Sequence, residues 1–202
     1  MCNIATLDPL FLATGKSGLS GVAKLDKEIF SEFQHDWASL SLQASQIVGI
    51  DLFDTDEPVY NGPEGKKKNF TEISEKQQRK FYRKSVLSSY EYKCCISGVT
   101  NPTLLVASHI KPWEFSDPKT ERVNPANGLC LNSFYDQAFD KGLFTVDKRL
   151  RIWVSPKVQA EYSDTFTEEW LYNLSGESVG LPQRFRPGNT FLEFHNDKIF
   201  QK

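Results

Sequence analysis

The sequence predicts an α+β protein, on three features of its 202 residues. Apolar residues recur at helical steps in the N-terminal third. A strongly basic helical stretch follows. Beyond it, two short apolar strands bracket a polar, proline-containing loop and lead directly into a short helix.

The elements follow in order. Residues 26 to 48 read as a helix, with Phe30, Phe33, Trp37, Leu40 and Ala44 at steps of three and four. The segment DLFDTDEPVYNGPEGKKKN is rich in Asp, Pro and Gly and reads as a connecting loop. It divides an N-terminal helical, acidic region (1–65) from a second domain (66–202). Ser74 followed by Gln77 is a capping-box pair that opens a helix running to about Lys93. Along it Tyr82, Val86 and Tyr90 form a packing stripe, and Lys76, Lys80 and Lys84 form a cationic row beside Arg79 and Arg83. TLLVASHI reads as a strand, and KPWEFSDPKTERVNPA as a polar loop with three prolines. NGLCL gives a second short strand, and NSFYDQAFDKG a helix closed by Gly142. LFTVDKRLRIWVS, apolar on both sides of DKR, reads as a hairpin. The stretch through LPQRFRPGNTFLEFHNDKIF lacks periodicity and is expected to wrap irregularly over the core.

Composition narrows the class. An apolar fraction of 39% with 13% aromatic residues is that of a globular chain. No apolar run reaches the length of a membrane span, and the first residues lack the basic-then-apolar pattern of a secretory signal. The expected location is cytoplasmic, without membrane attachment. Four cysteines are present, Cys2, Cys94, Cys95 and Cys130, with no C-x-x-C pair to hold a structural zinc. Cys95 and Cys130 read as buried small hydrophobes of a reducing compartment.

The net charge of −2 excludes nothing, but its distribution is uneven. Residues 1 to 60 hold nine acidic side chains and three lysines, whereas residues 66 to 84 hold eight Lys or Arg against two Glu. The basic zone could bind an anionic polymer, or could be a solvated helix face.

One local feature needs chemistry to explain it. In LLVASHIKPW an apolar strand ends on His109, immediately before a lysine and a proline. Asn127 leads the second strand, and Asp136 and Asp140 lie one helical turn apart on the helix after it. The stretches YEYKCCISG, LLVASHIKPW, NPANGLCLN, YDQAFDKGLFTVD and FLEFHNDKIF, spread over roughly residues 77 to 200, resemble the HNH endonuclease family of bacterial restriction and phage-defence type.

That resemblance implies a ββα-metal core, with the N-terminal helical region before it and a C-terminal hairpin and irregular extension after it. It implies a nuclease that hydrolyses DNA with one Mg²⁺ or Mn²⁺ ion. His109 would be the general base, Asn127 the residue orienting it and bracing the loop, and Asp136 the metal ligand. Asp140, His109 itself or waters would complete the metal shell. The third position departs from the family in being Asp rather than His, which suits a hard cation. Tyr135 would take that position after a one-residue register change. The residue before the base, often a ligand in the family, is Ser108.

Phosphate contacts are expected from Lys111, Arg122 and the basic helix (Lys76, Lys80, Arg83, Lys84). Asp140 could instead close its helix or pair with Arg122, and His195 reads as structural. DNA is the expected partner, with the protein acting alone or as a homodimer. The alternatives are a catalytically weak DNA-binding module on the same core, or a nicking or RNA-directed nuclease.

Overall fold

A computed structural model describes residues 24–33, 35–48, 75–161 and 164–202. They fall into two compact units, one holding 24–48 together with Pro118–Thr120, the other 75–117 and 121–202. The expected boundary near residue 65 and the Ser74 cap lie outside the described residues.

The first unit contains α1 (Lys24–Phe33) and α2 (Trp37–Val48). The single helix expected over 26–48 is therefore broken. Asp36 is the reason, because its carboxylate accepts from the Ser39 N–H at 2.9 Å and the Ser39 hydroxyl at 2.8 Å, opening a new helix.

The second unit is built on α3 (Glu75–Ser89), β1 (Leu105–His109), β2 (Gly128–Asn132) and α4 (Ser133–Asp140). β1 and β2 form an antiparallel pair in which His109 faces Gly128 and Leu105 faces Asn132. Asn132 ends the strand and starts the helix at once, its side-chain oxygen accepting from the Tyr135 N–H at 2.9 Å. The helix stops at Gly142, whose φ of +66° is left-handed. The Gly142 and Leu143 N–H groups bond back to Phe139 and Ala138 at 2.8 and 2.9 Å, closing the last turn.

A two-stranded hairpin follows, β3 (Phe144–Val146) and β4 (Ile152–Val154), as its apolar flanks predict. The C-terminal stretch is less irregular than expected. It holds α5 (Pro156–Glu161), α6 (Thr165–Trp170) and α7 (Asn189–Lys198). The core is formed by Leu105, Ile110, Leu129, Leu131, Phe139, Phe144, Ile152 and Leu192, all essentially without solvent contact. Burial of each such side chain stabilises by about 1.5–3 kcal/mol. Cys94, Cys95 and Cys130 are buried free thiols. Among the described residues no helix is long and apolar enough to cross a membrane.

α3 lies close against the hairpin. A Cβ on Gly128 would come within 2.6 Å of both the Tyr82 hydroxyl and Val86, so only glycine permits this approach. The approach matters because it delivers Tyr82 to the end of β1.

Candidate active site

His109 ends β1 with its ring stacked on Tyr82, centroids 3.8 Å apart and planes 16° apart. Trp113 meets it edge-on at 5.7 Å. Its Nε2 lies 2.9 Å from the Arg122 carbonyl. A carbonyl only accepts, so Nε2 carries the hydrogen and Nδ1 holds the lone pair of a neutral ring. No protein group among the described residues bonds to Nδ1. Desolvation, assisted by the Arg79 charge and opposed by the Arg122 carbonyl, lowers the His109 pKa to about 4. The imidazole is therefore unprotonated at neutral pH.

Asn127 is fully buried. Its Oδ1 accepts from the Lys111 N–H at 2.8 Å. Its Nδ2 donates to the Lys111 carbonyl at 3.1 Å, the Ser116 hydroxyl at 3.2 Å and, more weakly, the Glu121 carbonyl at 3.4 Å. One amide thus ties together both ends of the loop that carries Arg122, and so fixes the carbonyl that holds His109. The Asn127 main-chain carbonyl accepts from Ile110 N–H at 3.0 Å and the Tyr82 hydroxyl at 2.9 Å.

The carboxylates stand on α4. Asp136 is half-buried, and desolvation raises its pKa against the opposing influence of the Ser108 hydroxyl. Ser108 itself is buried, and its Oγ makes no hydrogen bond of normal length and angle. An orphaned hydroxyl facing a carboxylate is a polar position that lacks its partner. Asp140 is pushed up to about 6, first by loss of water around its carboxyl and then by the Asp136 charge, with Lys141 opposing. The charge of Asp136 also reaches Tyr82, which links the carboxylate side of the site to the histidine side.

These donors are all oxygens, the set that a hard divalent cation takes. By donor type Asp136, Asp140 and the Ser108 hydroxyl are the groups that could hold such an ion. Among the described residues no three His, Cys, Asp or Glu side chains converge tightly enough to hold a metal unaided. His109 is engaged through Nε2, which leaves Nδ1 open. Tyr135 is buried and packs edge-on against Phe144 at 6.3 Å, so this structure turns Asp136, not Tyr135, toward Ser108.

The expected phosphate contacts divide. Lys76 is exposed on α3, which also carries Lys80 and Lys84. Arg83 instead donates to the carbonyls of Leu105 at 2.7 Å and Pro102 at 3.1 Å, holding the entry to β1. Lys111 pairs with Glu121 at 2.6 Å. Arg122 bonds the Ser116 carbonyl at 3.2 Å and lies 3.9 Å from Glu75, not beside Asp140. Arg79 is the cation that sequence reasoning left out of the site. Its guanidinium lies 4.1 Å from the Trp113 ring centre and near enough to His109 to affect it. Tyr82 was legible only as a packing residue.

His195 lies elsewhere, fully buried. Its Nε2–H donates to the Phe139 carbonyl at 3.1 Å and its Nδ1 accepts from the Thr145 hydroxyl at 2.9 Å. With both nitrogens occupied and the ring stacked 3.7 Å from Phe139, it pins α7 to α4 and β3.

A histidine on the lip of a β-hairpin, an asparagine bracing its loop and carboxylates on the next helix are thus arranged on a ββα unit. Residues 94–147 match the HNH endonuclease family. Among solved structures the chain is similar to a modification-dependent TagI restriction endonuclease, with 18% identity and a TM-score of 0.37. The similarity covers 58% of this chain and 37% of that enzyme, so the chain spans little more than a third of its length. No curated protein matches the chain.

Proposed function

We propose that the protein is a divalent-metal-dependent endonuclease that hydrolyses DNA phosphodiester bonds, in restriction or anti-phage defence. The observation that carries this reading is the bond from His109 Nε2–H to the Arg122 carbonyl. It fixes a neutral imidazole whose Nδ1 lone pair can take a proton from the attacking water. Asn127 keeps that carbonyl in place, and Tyr82 holds the ring plane. Asp136, with Asp140 and the Ser108 hydroxyl, would hold the cation. When bound, a divalent ion supplies Lewis-acid stabilisation of the charge developing on phosphate and on the leaving oxygen. Arg79 and the lysines of α3 would position the phosphate backbone without reading sequence.

Incubation of plasmid DNA with Mg²⁺, Mn²⁺ or EDTA tests the reading, on methylated and unmethylated substrate. Cutting in Mg²⁺ or Mn²⁺ but not in EDTA is expected. His109→Ala should lower turnover by roughly two to four orders of magnitude, the usual worth of a general base. One observation favours a second reading, a catalytically weak DNA-binding module: the absence of a three-ligand cluster among the described residues. Salt-sensitive DNA binding with no cutting in any metal would select it.

A further inference from the structure

A cavity of about 300 Å³ opens between the β3–β4 turn and the strap of residues 178–186. Lys148, Arg149 and Arg186 line it with Ser178, Leu150 and Leu181, and no carboxylate does. Two nearby acids, Asp147 and Glu193, are engaged. Asp147 accepts from the N–H groups of Arg149 and Arg151 and from the Trp153 indole, at 2.8, 2.9 and 3.1 Å. Glu193 pairs with Lys148. Arg149 and Arg186 are exposed and have no protein partner among the described residues.

The walls are preformed. Val179 N–H bonds the Leu150 carbonyl at 2.9 Å, and Gly180 N–H bonds Cys95 at 2.7 Å. Gln183 N–H bonds Ser89 at 2.7 Å, and Gly188 N–H bonds Ala126 at 2.9 Å. Leu150 and Phe185, beside the two arginines, hold left-handed φ values of 61° and 55° that non-glycine residues rarely adopt. The last tie places the strap against Ala126, next to the Asn127 that braces the candidate active site. Two unpaired guanidiniums, a hydroxyl and the exposed side chain of Leu181 suit alternating phosphates and deoxyriboses.

We propose that this cavity is a second DNA-backbone site, which grips phosphates of the substrate outside the point of cutting. The inference rests on the nuclease reading above and extends it to a face that carries none of the catalytic residues.

Arg149→Glu/Arg186→Glu tests it, beside Lys24→Glu/Lys27→Glu on α1, which makes the same charge change on the other unit. Duplex affinity is measured by fluorescence anisotropy in EDTA across a salt series, and cleavage at saturating DNA in Mn²⁺. The cavity variant should lose affinity about tenfold at 0.1 M salt. Its slope of log affinity against log salt should fall by about two, one for each phosphate contact removed. Its kcat should match that of the unmodified protein.

A slope equal to that of the unmodified protein, or an equal loss in the α1 variant, overturns the proposal. A third outcome also overturns it: stoichiometric ATP binding lost in the cavity variant while duplex affinity is unchanged, which makes this a nucleotide site. If the unmodified protein neither binds nor cuts DNA, the nuclease reading itself fails. Normal binding and cutting with an unaffected variant removes only the second site.

Discussion

Asn127→Ala removes the amide on which both the loop and the proposed base, His109, depend. Three of its side-chain hydrogen bonds are well formed, at 2.8, 3.1 and 3.2 Å, and the fourth is long at 3.4 Å. Each bond contributes about 1 kcal/mol, and stranding the part-buried Lys111 N–H costs roughly 1–3 kcal/mol more, whereas the Lys111 carbonyl keeps the Ser116 hydroxyl at 2.9 Å. The expected loss is therefore about 4 kcal/mol, a large share of the roughly 5–15 kcal/mol that holds an ordinary domain together. Denaturant unfolding followed by circular dichroism measures it. Under conditions where the variant remains folded, kcat for plasmid cleavage should fall about a hundredfold, because the Arg122 carbonyl no longer fixes His109. DNA affinity should change far less. A stability loss under about 1 kcal/mol with near-normal kcat would refute the bracing role.

Three further outcomes follow from the geometry. Gly142→Ala forces a side chain into left-handed backbone and onto the Ile199 carbonyl, so a destabilisation of at least about 2 kcal/mol is expected in thermal melts. His195, held near a pKa of about 4 against an ordinary 6.5, is neutral in both folded and unfolded chains above pH 6.5. Below that the unfolded chain takes up a proton that the fold refuses, so stability should fall from about pH 6.5 to pH 4, by up to about 3 kcal/mol; His195→Gln should lessen that pH dependence in parallel denaturation curves. Arg83→Ala should lower stability by about 1–3 kcal/mol through its two carbonyl bonds while leaving the salt slope of DNA binding unchanged, whereas Arg79→Ala should reduce that slope by about one.

The parts legible in sequence were those set by local signals. Apolar runs and turn residues gave the strands β1 and β2 and the β3–β4 hairpin, and Gly142 gave the end of α4. The order His109, Asn127, Asp136 singled out the candidate site before any geometry was known. What stayed hidden depends on tertiary packing. Nothing local marks Tyr82 as the residue stacked on His109, because their meeting requires the close approach that Gly128 allows. Arg83 reads like any cation on a basic helix until the carbonyls of Leu105 and Pro102 come beneath it. α7 begins at Gly188 without a side-chain cap and buries Phe191, Leu192 and His195, too few apolar positions to show a period. The break between α1 and α2 had a readable cause in Asp36 and Ser39, masked by an apolar spacing that runs through it.

In the proposed reaction Asp136, on the helix after the hairpin, holds the cation and His109 is the base. Titration of Mn²⁺ into plasmid cleavage by Asp136→Asn, beside the unmodified protein and Tyr135→Phe, tests it most directly. Loss of one charged oxygen ligand should shift the half-activating Mn²⁺ concentration upward by about tenfold or more, with partial recovery in excess Mn²⁺ and no shift in Tyr135→Phe. A normal Mn²⁺ requirement in Asp136→Asn, with cleavage lost in Tyr135→Phe, would contradict the account.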